Sequence, residues 1–304
     1  MFGRLVLAGA LAAALTAPAL AQPLLPRPGA TRNIAAACAG KDGWADPAPP
    51  ARLYGNTWYV GTCGITSLLV ETQAGLVLLD GGVPEAAPLV LENIRKLGFS
   101  LRLVRWILVS HEHWDHAGAV AAIQRATGAK VIAGPYQFNA LVSGKHSPED
   151  PQADLLAKNP MQPAAVSFAV RDRGRHTVGG VSFTAYATPA HSPGSTSWTW
   201  RTCEGAVCRT IAYADSASTI SADGYRFTDH PKRIGEVRSG LSAIGSLPCD
   251  IIVTPHPSAS DLFPRMSGAK QLVQFGACRS YADAAGKRFD ARLASEKLVV
   301  PVKK

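Results

Sequence analysis

Apolar residues in the middle of the chain fall into two kinds of pattern: short continuous runs typical of buried strands, and wider spacings typical of helices. Residues 75–79 form a continuous apolar run, and residues 80–82 (Asp-Gly-Gly) follow it, which predicts a buried strand and then a turn. Val90, Ile94 and Leu97 recur at spacings of four and three. They therefore predict the buried face of an amphipathic helix, which a glycine directly afterwards can end.

Similar runs continue along the rest of the chain. Further strands are predicted at residues 57–60, 66–71, 103–109, 130–133, 166–170, 181–187, 196–201, 209–213 and 250–254. Further helices are predicted up to Gly128 and around residues 234–244. A long or a broken helix is predicted between Leu272 and Leu293. The two halves of the chain each contain strands followed by helices, with no linker and no clear internal repeat. We therefore expect one α/β domain, with sheets inside and helices outside.

Two segments lack this periodicity. Residues 22–50 are rich in Pro, Gly and Ala, and we predict an extended N-terminal arm that precedes a domain spanning residues 51–304. Residues 134–164 hold several prolines and charges, which predicts a long irregular loop. Such a loop often serves as a lid over a site, although an inert surface loop fits the pattern equally well.

The composition changes this picture little. Hydrophobic residues make up 47% of the chain and charged residues 17%, as expected for a globular protein with a large core. The formal net charge of +9 is a balance that can favour anionic partners. The charges are scattered, however, and no nucleic-acid-binding motif is present, so we expect no nucleic-acid partner.

The first residues have the pattern of an export signal. Arg4 precedes an apolar stretch at residues 5–17, and residues 19–21 (Ala-Leu-Ala) form a cleavage site of small residues. This predicts a signal peptide over residues 1–21 and a mature chain that begins at Gln22 in the periplasm. A membrane anchor is the alternative, but the stretch is short for a span of about 20 residues.

The cysteine content agrees with export, because an even number of cysteines in an exported chain suggests disulfides. The six are Cys38, Cys63, Cys203, Cys208, Cys249 and Cys278. Their count allows about 15 pairings, and the sequence does not choose among them. Cys203 and Cys208 flank a four-residue loop that a bridge between them could close. Zinc binding is the other use of clustered cysteines, but no CxxC pair is present.

The strongest chemical signal is a cluster of three histidines and one aspartate within six residues. These are His111, His113, Asp115 and His116. The cluster follows the predicted strand at 103–109 and precedes a predicted helix, so it lies in a loop where side chains can converge on a cleft. Imidazole and carboxylate groups are ligands that suit zinc.

Two more histidines follow predicted strands farther along the chain. His191 precedes Ser-Pro-Gly, and His256 lies between two prolines. Given the first cluster, we expect both to be ligands. The remaining histidines lie in polar loop contexts, and we interpret them as surface residues: His146, His176 and His230.

An HxHxDH motif, a distant His before Pro-Gly and a late His after a strand together resemble the metallo-β-lactamase superfamily, from about Tyr54 to the C-terminus. Several short segments are similar to the third subclass of the zinc (class B) β-lactamases: residues 54–59, 80–82, 195–200, 213–216 and 255–257. The resemblance implies a single-domain αββα sandwich of four layers, with the site at the sheet edge.

The resemblance also implies two Zn²⁺ ions per chain. One is held by His111, His113 and His191, and the other by Asp115, His116 and His256. The other subclasses place a cysteine among the second zinc's ligands, whereas this chain has Ser216 at the corresponding turn. The resemblance assigns the cysteines to disulfides instead, in the pairs Cys249–Cys278, Cys203–Cys208 and Cys38–Cys63.

Other roles follow from the same resemblance. Ser216 and Ser218 are expected to hold a substrate carboxylate, and Trp58 and the 134–164 loop to wall the cleft. Asp80 is expected to fix a ligand histidine, although plain turn chemistry explains it equally well.

Ala190 departs from the pattern of the third subclass, which has glycine before this histidine. The ligand loop could shift if that position requires a positive φ, but we expect zinc binding to survive.

The function implied is that of an exported, monomeric β-lactamase that opens the lactam amide with a metal-activated water and needs no organic cofactor. We expect a broad substrate range that includes carbapenems. The alternative is another hydrolase of the same fold, a lactonase or a thioesterase such as glyoxalase II. Such relatives commonly use a bridging aspartate after a strand, a ligand for which Asp215 could be mistaken. A zinc-binding protein with a decayed site is disfavoured, since all six expected ligands are present.

Overall fold

The computed structural model describes residues 27–31 and 33–298, so the predicted signal peptide at 1–21 lies outside the described residues. Within these residues, the strands form one sheet of seven strands and one of five. The first sheet follows chain order and consists of β1 (Ala51–Tyr54), β2 (Thr57–Tyr59), β3 (Leu68–Thr72), β4 (Gly75–Leu79), β5 (Val104–Leu108), β6 (Lys130–Ala133) and β7 (Val166–Ala169). The second consists of β8 (Arg175–Val178), β9 (Val181–Ala187), β10 (Thr196–Glu204), β11 (Val207–Tyr213) and β12 (Ile251–Val253), in the spatial order β12-β11-β10-β9-β8.

The helices lie outside the sheets or in the loops between strands. They are α1 (Ile34–Ala37), α2 (Ala87–Lys96), α3 (Trp114–Ala117), α4 (Val120–Thr127), α5 (Pro135–Ser143), α6 (Ala153–Leu156), α7 (Pro231–Gly245), α8 (Leu262–Met266) and α9 (Ala277–Leu298). α2 ends as predicted, with Gly98 at a φ of 80°, and Gly128 ends α4 in the left-handed conformation.

The side chains of β4 alternate between two separate cores. Leu76 and Leu78 pack in a cluster with Val90 and Ile94 of α2, whereas Val77 and Leu79 pack between the sheets. A third cluster joins the outer face of the second sheet to α7 and α9. Successive strand residues point to opposite faces, and both faces of β4 are buried, so its sequence is continuously apolar. The layers are helix, sheet, sheet and helix, and the predicted αββα sandwich is confirmed.

The six cysteines form the disulfides Cys38–Cys63, Cys203–Cys208 and Cys249–Cys278. These are the pairs that the resemblance implied. Cys203 and Cys208 stand opposite each other in the β10–β11 hairpin.

Several elements differ from the sequence-based prediction. Residues 134–164 are not wholly irregular, since α5 begins at a proline whose fixed φ suits a first helical turn and α6 follows. β8 (Arg175–Val178) was missed because its sequence, Arg-His-Thr-Val, has a single strongly apolar residue. The C-terminal helix begins at Ala277, later than expected. The segment predicted as an extended arm contains α1, with Ile34 buried in the core.

Candidate metal centre

Three strand ends bring the six predicted ligands together. β5 leads into the loop with His111, and β9 and β12 lead to His191 and His256. β9 and β12 run in the same direction, because β10 is antiparallel to both β9 and β11, and β11 is parallel to β12. Hydrogen bonds then join the sheets at this edge: the Thr196 N–H donates to the Ser110 carbonyl at 2.7 Å, and the Thr66 N–H donates to the Pro255 carbonyl at 2.8 Å.

One group of converging donors consists of three buried histidines. One ligand atom from each of His111, His113 and His191 lies within 4.8 Å of the others. His113 Nδ1 and His191 Nε2 are 3.1 Å apart. His111 Nε2 is buried and has no hydrogen-bond partner among the described residues. A buried polar atom without a partner is costly, and a metal ion at this point would satisfy it.

A second group centres on Asp115. Its Oδ2 atom lies 3.0 Å from His116 Nε2 and 3.3 Å from His256 Nε2. Both ring nitrogens of His116 are buried, and among the described residues neither makes a well-aligned hydrogen bond, although Nε2 is at ion-pair distance from Asp115. His111, Asp115 and His116 also lie within 4.8 Å of one another, so the two groups are adjacent. The donor chemistry and the unpartnered nitrogens fit zinc at both groups.

Two carboxylates orient the first group from behind. Asp215 Oδ1 is 2.9 Å from His111 Nδ1, and Asp150 Oδ2 is 2.9 Å from His113 Nε2. Each contact fixes one nitrogen as a donor and leaves the other directed at the shared point. The sequence analysis missed Asp150 and noted Asp215 only as a residue that could be mistaken for a bridging metal ligand.

Burial and neighbouring carboxylates control the charge of the three histidines in the first group. Burial lowers the pKa of His111 to about 4 and that of His191 to about 3. Both imidazoles are therefore neutral near pH 7 and have a lone pair available for a cation. For His113, burial acts in the same direction, but the neighbouring Asp150 raises the pKa to about 9.

Asp80 lies behind the second group. Its carboxylate accepts hydrogen bonds from the Ser110 N–H at 2.7 Å, from Ser110 Oγ at 2.6 Å and from the Tyr213 hydroxyl at 2.8 Å. Its Oδ2 atom is 3.7 Å from His116 Nδ1, an ion-pair distance and not a hydrogen bond. Asp80 also has a φ of 57°, which aspartate tolerates better than most residues. Its predicted role in fixing a histidine stays a proposal.

Helix α7 supports the loop that carries His191. The buried Arg233 guanidinium donates to the carbonyls of Pro189 at 2.7 Å and Ala190 at 3.0 Å. Gly240 allows the close approach, because a Cβ atom there would lie 2.5 Å from the Ala190 nitrogen. Ala190 is not among the described residues with positive φ. Alanine thus fits this position without backbone strain.

The metal centre opens into a cavity of about 780 Å³. His113, Asp115, His191 and His256 line it, as do Ser216 and Ser218. Ser218 also contacts a ligand, since its carbonyl oxygen lies 2.8 Å from His191 Nδ1. Gln152 and Leu156 bring the 134–164 segment to the cavity wall, in agreement with the expectation that this segment borders the cleft.

Trp58 does not line this cavity. It is 1% exposed and packs in the core between the first sheet and its helices. The other two residues of β2 are buried as well. Trp44 takes the expected place instead. Its ring lies 6.0 Å from that of His256 and 6.1 Å from that of Trp114. This position could not be predicted from the sequence, because residues 22–50 show no periodicity.

Other polar residues were also misplaced or missed. His146 is only partly exposed, and its ring lies 6.4 Å from that of His113. His176 is half-buried against Trp106. The interpretation of these two as surface residues is therefore wrong, while His230 is exposed as expected. Glu112 was passed over within its motif, yet it is buried and accepts a hydrogen bond from Ser192 Oγ at 3.2 Å.

A cage of imidazole and carboxylate donors, four of the six buried, lies at the edge where two facing sheets meet and defines a metallohydrolase-type centre. Residues 60–207 match the family model of the metallo-β-lactamase superfamily. The chain is 56% identical to the metallo-β-lactamase MIM-1 from Novosphingobium pentaromativorans, with a TM-score of 0.85 over 88% of this chain and 98% of that one. This chain belongs to the metallo-β-lactamase superfamily.

The chain is also similar to two other proteins. The structure of MEM-A1, a subclass B3 metallo-β-lactamase from a soil metagenome library, is 38% identical, with a TM-score of 0.80 over 84% of this chain and 99% of that one. Hydroxyacylglutathione hydrolase from Albidiferax ferrireducens (strain ATCC BAA-621 / DSM 15236 / T118) is 34% identical over 109 residues, which are 36% of this chain and 37% of that protein. The chain thus matches little more than a third of the length of that curated relative.

No helix among the described residues combines the length and apolar character needed to cross a bilayer.

Proposed function

We propose that the protein is an exported β-lactamase that holds two zinc ions and hydrolyses the amide bond of β-lactam antibiotics, carbapenems included. The observation that carries this proposal is the convergence of six donor residues in two adjacent groups at one wall of a large cavity. The similarity to MIM-1 over nearly all of that chain supports the lactam as substrate.

His111, His113 and His191 would hold one zinc, and Asp115, His116 and His256 the other. Zinc supplies Lewis acidity toward a carbonyl oxygen and activates water near neutral pH. Asp115 is 14% exposed at the cavity surface, where its carboxylate can orient a water toward the substrate carbonyl. Ser216 lines the same cavity next to the ligand histidines, and its hydroxyl suits a substrate carboxylate.

Thioester hydrolysis is the second candidate, favoured by the match to hydroxyacylglutathione hydrolase. Asp215 bears on this choice, because such relatives commonly use a bridging aspartate. Here the Asp215 carboxylate lies 2.9 Å from His111 Nδ1, and the other ring nitrogen, Nε2, is the one without a hydrogen-bond partner among the described residues. Asp215 is therefore placed to orient a ligand, which supports the lactamase.

Direct assay of the zinc-loaded protein separates these candidates. The ultraviolet absorbance of a carbapenem, a penicillin and a cephalosporin is followed with and without a chelator. We expect rapid loss of the lactam band, abolished by chelation and restored by zinc. Stable lactams in the presence of bound zinc would discard the lactamase and direct the search to thioesters and lactones.

Asp115→Ala provides a matched variant for the same assay. We expect it to lose most turnover while its circular dichroism stays that of a folded protein, because the other ligands remain in place. Asp283→Asn, an exposed change on α9, should keep full activity. Near-normal turnover in Asp115→Ala would contradict the role given to this residue.

Export and oligomeric state have their own tests. After expression of the full-length chain in a Gram-negative host, we expect the protein in the periplasmic fraction with Gln22 as its N-terminal residue. A retained Met1, or a protein confined to the cytoplasm, would contradict export. Size-exclusion chromatography with light scattering should give the mass of a monomer.

A further inference from the structure

The cavity extends from the metal centre along helix α9. One face of this helix lines it, through Ala277, Ser280, Tyr281, Ala284 and Arg288. These residues are separated by three, one, three and four positions, so they share one side of the helix. Arg288 is at the far end of the row, seven residues beyond Tyr281, which corresponds to about 10 Å of helix. The cavity therefore continues well past the serines.

Arg288 is exposed and has no ion-pair or hydrogen-bond partner within the described part of the chain. Neighbouring arginines are engaged: Arg292 pairs with Glu296 at 2.8 Å, and Arg238 pairs with Asp290 at 2.8 Å. Arg265, on the same cavity wall, donates to backbone carbonyls. A guanidinium without a carboxylate partner in a ligand cavity is available to an anionic ligand.

Tyr281 connects this cation to the metal end. Its hydroxyl accepts a hydrogen bond from the Ala217 N–H at 3.0 Å, between the two serines that line the cavity. Burial raises the pKa of Tyr281, and the positive charge of Arg288 opposes that increase, so the two side chains are electrostatic neighbours. The ligand histidines, the serine segment, Tyr281 and Arg288 thus follow one another along a single cavity.

The charges on the cavity wall favour a ligand with two anionic groups. Of the carboxylates that line it, Asp115 belongs to the donor set, and Asp261 pairs with Lys270 at 2.6 Å. A cationic group remains at each end once the metal centre is loaded. At about 780 Å³ the cavity is in the size range of sites for drug-sized molecules, so both ends can be filled by one ligand.

We propose that Arg288 forms a second anion subsite, which binds a carboxylate or sulfonate on the part of the substrate farthest from the scissile amide. The identity of that substrate rests on the proposed function, but the binding of anions at Arg288 does not. Within the proposed function, the enzyme favours β-lactams with a second anionic group besides the ring carboxylate. Because Arg288 is exposed to solvent, the preference is moderate and weakens with added salt.

A series of hydroxamates measures the reach of this subsite without lactam hydrolysis. A hydroxamate can bind the zinc-loaded protein at its metal centre, and its straight chain ends in either a carboxylate or a methyl group. Calorimetric titration over chain lengths gives the advantage of the carboxylate at each length. We expect none for short chains and about three- to tenfold tighter binding once the chain reaches Arg288.

Substitutions assign that advantage to one residue. Arg288→Gln should abolish it, Arg288→Lys should keep part of it, and neither should change the affinity of the methyl-ended series. Arg279→Gln is the matched control, because Arg279 is an exposed residue of the same helix that lines a different surface groove. Added salt of 0.5 M should reduce the advantage toward that of Arg288→Gln.

Several outcomes would overturn the subsite. If the carboxylate advantage survives in Arg288→Gln, the anion binds elsewhere. If the advantage falls equally in Arg279→Gln, it reflects the net charge of the protein and not a subsite at Arg288. Failure of both hydroxamate series to bind the zinc-loaded protein would remove the metal end of the cavity and this proposal with it. An intact, Arg288-dependent advantage in a protein that hydrolyses no lactam would leave the subsite standing and reject the lactamase instead.

Discussion

Asp215 shows how a residue outside the proposed ligand set can orient one of its histidines. Its carboxylate is fully buried, and it holds His111 Nδ1 at 2.9 Å. Burial alone would raise its pKa, but the nearby His111 lowers it to about 2, so the group stays ionised at neutral pH. A fixed anion behind the imidazole keeps the proton on Nδ1 and leaves the Nε2 lone pair available to a metal at the proposed site.

We therefore predict that Asp215→Asn lowers the affinity of the three-histidine group for zinc by about 10–100-fold. The amide preserves the shape of the side chain but removes its charge. Competition with a chromophoric chelator measures the two zinc affinities separately. The zinc affinity of the three-histidine group should fall, and that of the second group should stay unchanged. Asp283→Asn, on the surface of α9, should change neither affinity. Unchanged affinities in Asp215→Asn would limit this carboxylate to a packing role.

At the residue scale, the sequence identified the residues that converge but not the residues that orient them. The first cluster places four candidate ligands within six residues, and such a density can be recognised without knowledge of the fold. The partners Asp215 and His111 are 104 residues apart, and Asp150 and His113 are 37 apart. Each aspartate is unremarkable in its local context, so no spacing rule could assign it.

Helix α7 acts on the metal centre through backbone carbonyls. Arg233 holds the two residues before His191, and its buried guanidinium has no other described carboxylate contact than Glu236 at 3.3 Å. Removing this charged donor would leave its buried acceptors unsatisfied and lower the free energy of unfolding. These acceptors belong to the loop that carries His191. The helix thus contributes to the site without supplying a ligand.

Arg233→Met should destabilise the fold by about 2 kcal/mol, since two charge-assisted hydrogen bonds are lost. It should also weaken zinc at the three-histidine group by about tenfold, as expected for loss of a supporting contact. Arg238→Met is the control on the same helix, where an exposed pair contributes under about 1 kcal/mol. Urea unfolding and chelator competition check the two effects. A loss of stability with normal zinc affinity would show that α7 does not position His191.

The N-terminal segment around Trp44 forms part of the cleft because a hydrogen bond and a disulfide hold it in place. The Trp44 carbonyl accepts a hydrogen bond from Thr62 Oγ1 at 2.9 Å, and the Cys38–Cys63 disulfide closes a separation of 25 residues around it. Trp44 then lies at the cavity wall near His256. A segment with no periodicity is thereby held at the site by a covalent bond and a few polar contacts.

Replacing Cys38 and Cys63 by alanine should lower the free energy of unfolding by about 3 kcal/mol and raise KM several-fold, as Trp44 loses its position. The control is the pair Cys203→Ala and Cys208→Ala in a hairpin outside the cavity lining. Its short loop predicts a loss of about 2 kcal/mol and an unchanged KM. Equal KM values in both double variants would remove Trp44 from the substrate site.

Elements with a strong apolar period were predicted well, and weakly patterned ones were not. β6 and β9 have the predicted bounds, because alternation or a continuous apolar run marks them. β8 and α5 depend on their neighbours: β8 pairs with β9, and the Gly134 N–H at the start of α5 donates to Gln137 Oε1 at 2.7 Å. Such tertiary and capping contacts decide short polar elements, and the hydrophobic pattern does not contain them.

On the scale of the whole molecule, the metal centre joins the two sheets. Four of the six proposed ligands follow β5 of the first sheet, and the other two, His191 and His256, follow β9 and β12 of the second. Among the described residues, nitrogens of His111 and His116 are buried without a hydrogen-bond partner, which is unfavourable unless a cation binds. We therefore propose that zinc bound to both sets of loops stabilises the sandwich itself, and not the loops alone.

We predict that chelation lowers Tm by at least about 5 °C, because a metal present at 100 times its dissociation constant contributes about 2.7 kcal/mol to the folded state. Since the ligands come from both sheets, the loss should appear as one cooperative transition at a lower temperature, without an early step confined to the loops. Beyond saturation, Tm should keep rising with the logarithm of free zinc, as mass action requires. Scanning calorimetry at several buffered zinc concentrations measures this dependence, and readdition of zinc should restore the original Tm. A separate low-temperature transition on chelation would mean that the loops open independently, and a Tm independent of zinc would mean that the ion adds nothing to the contact between the sheets.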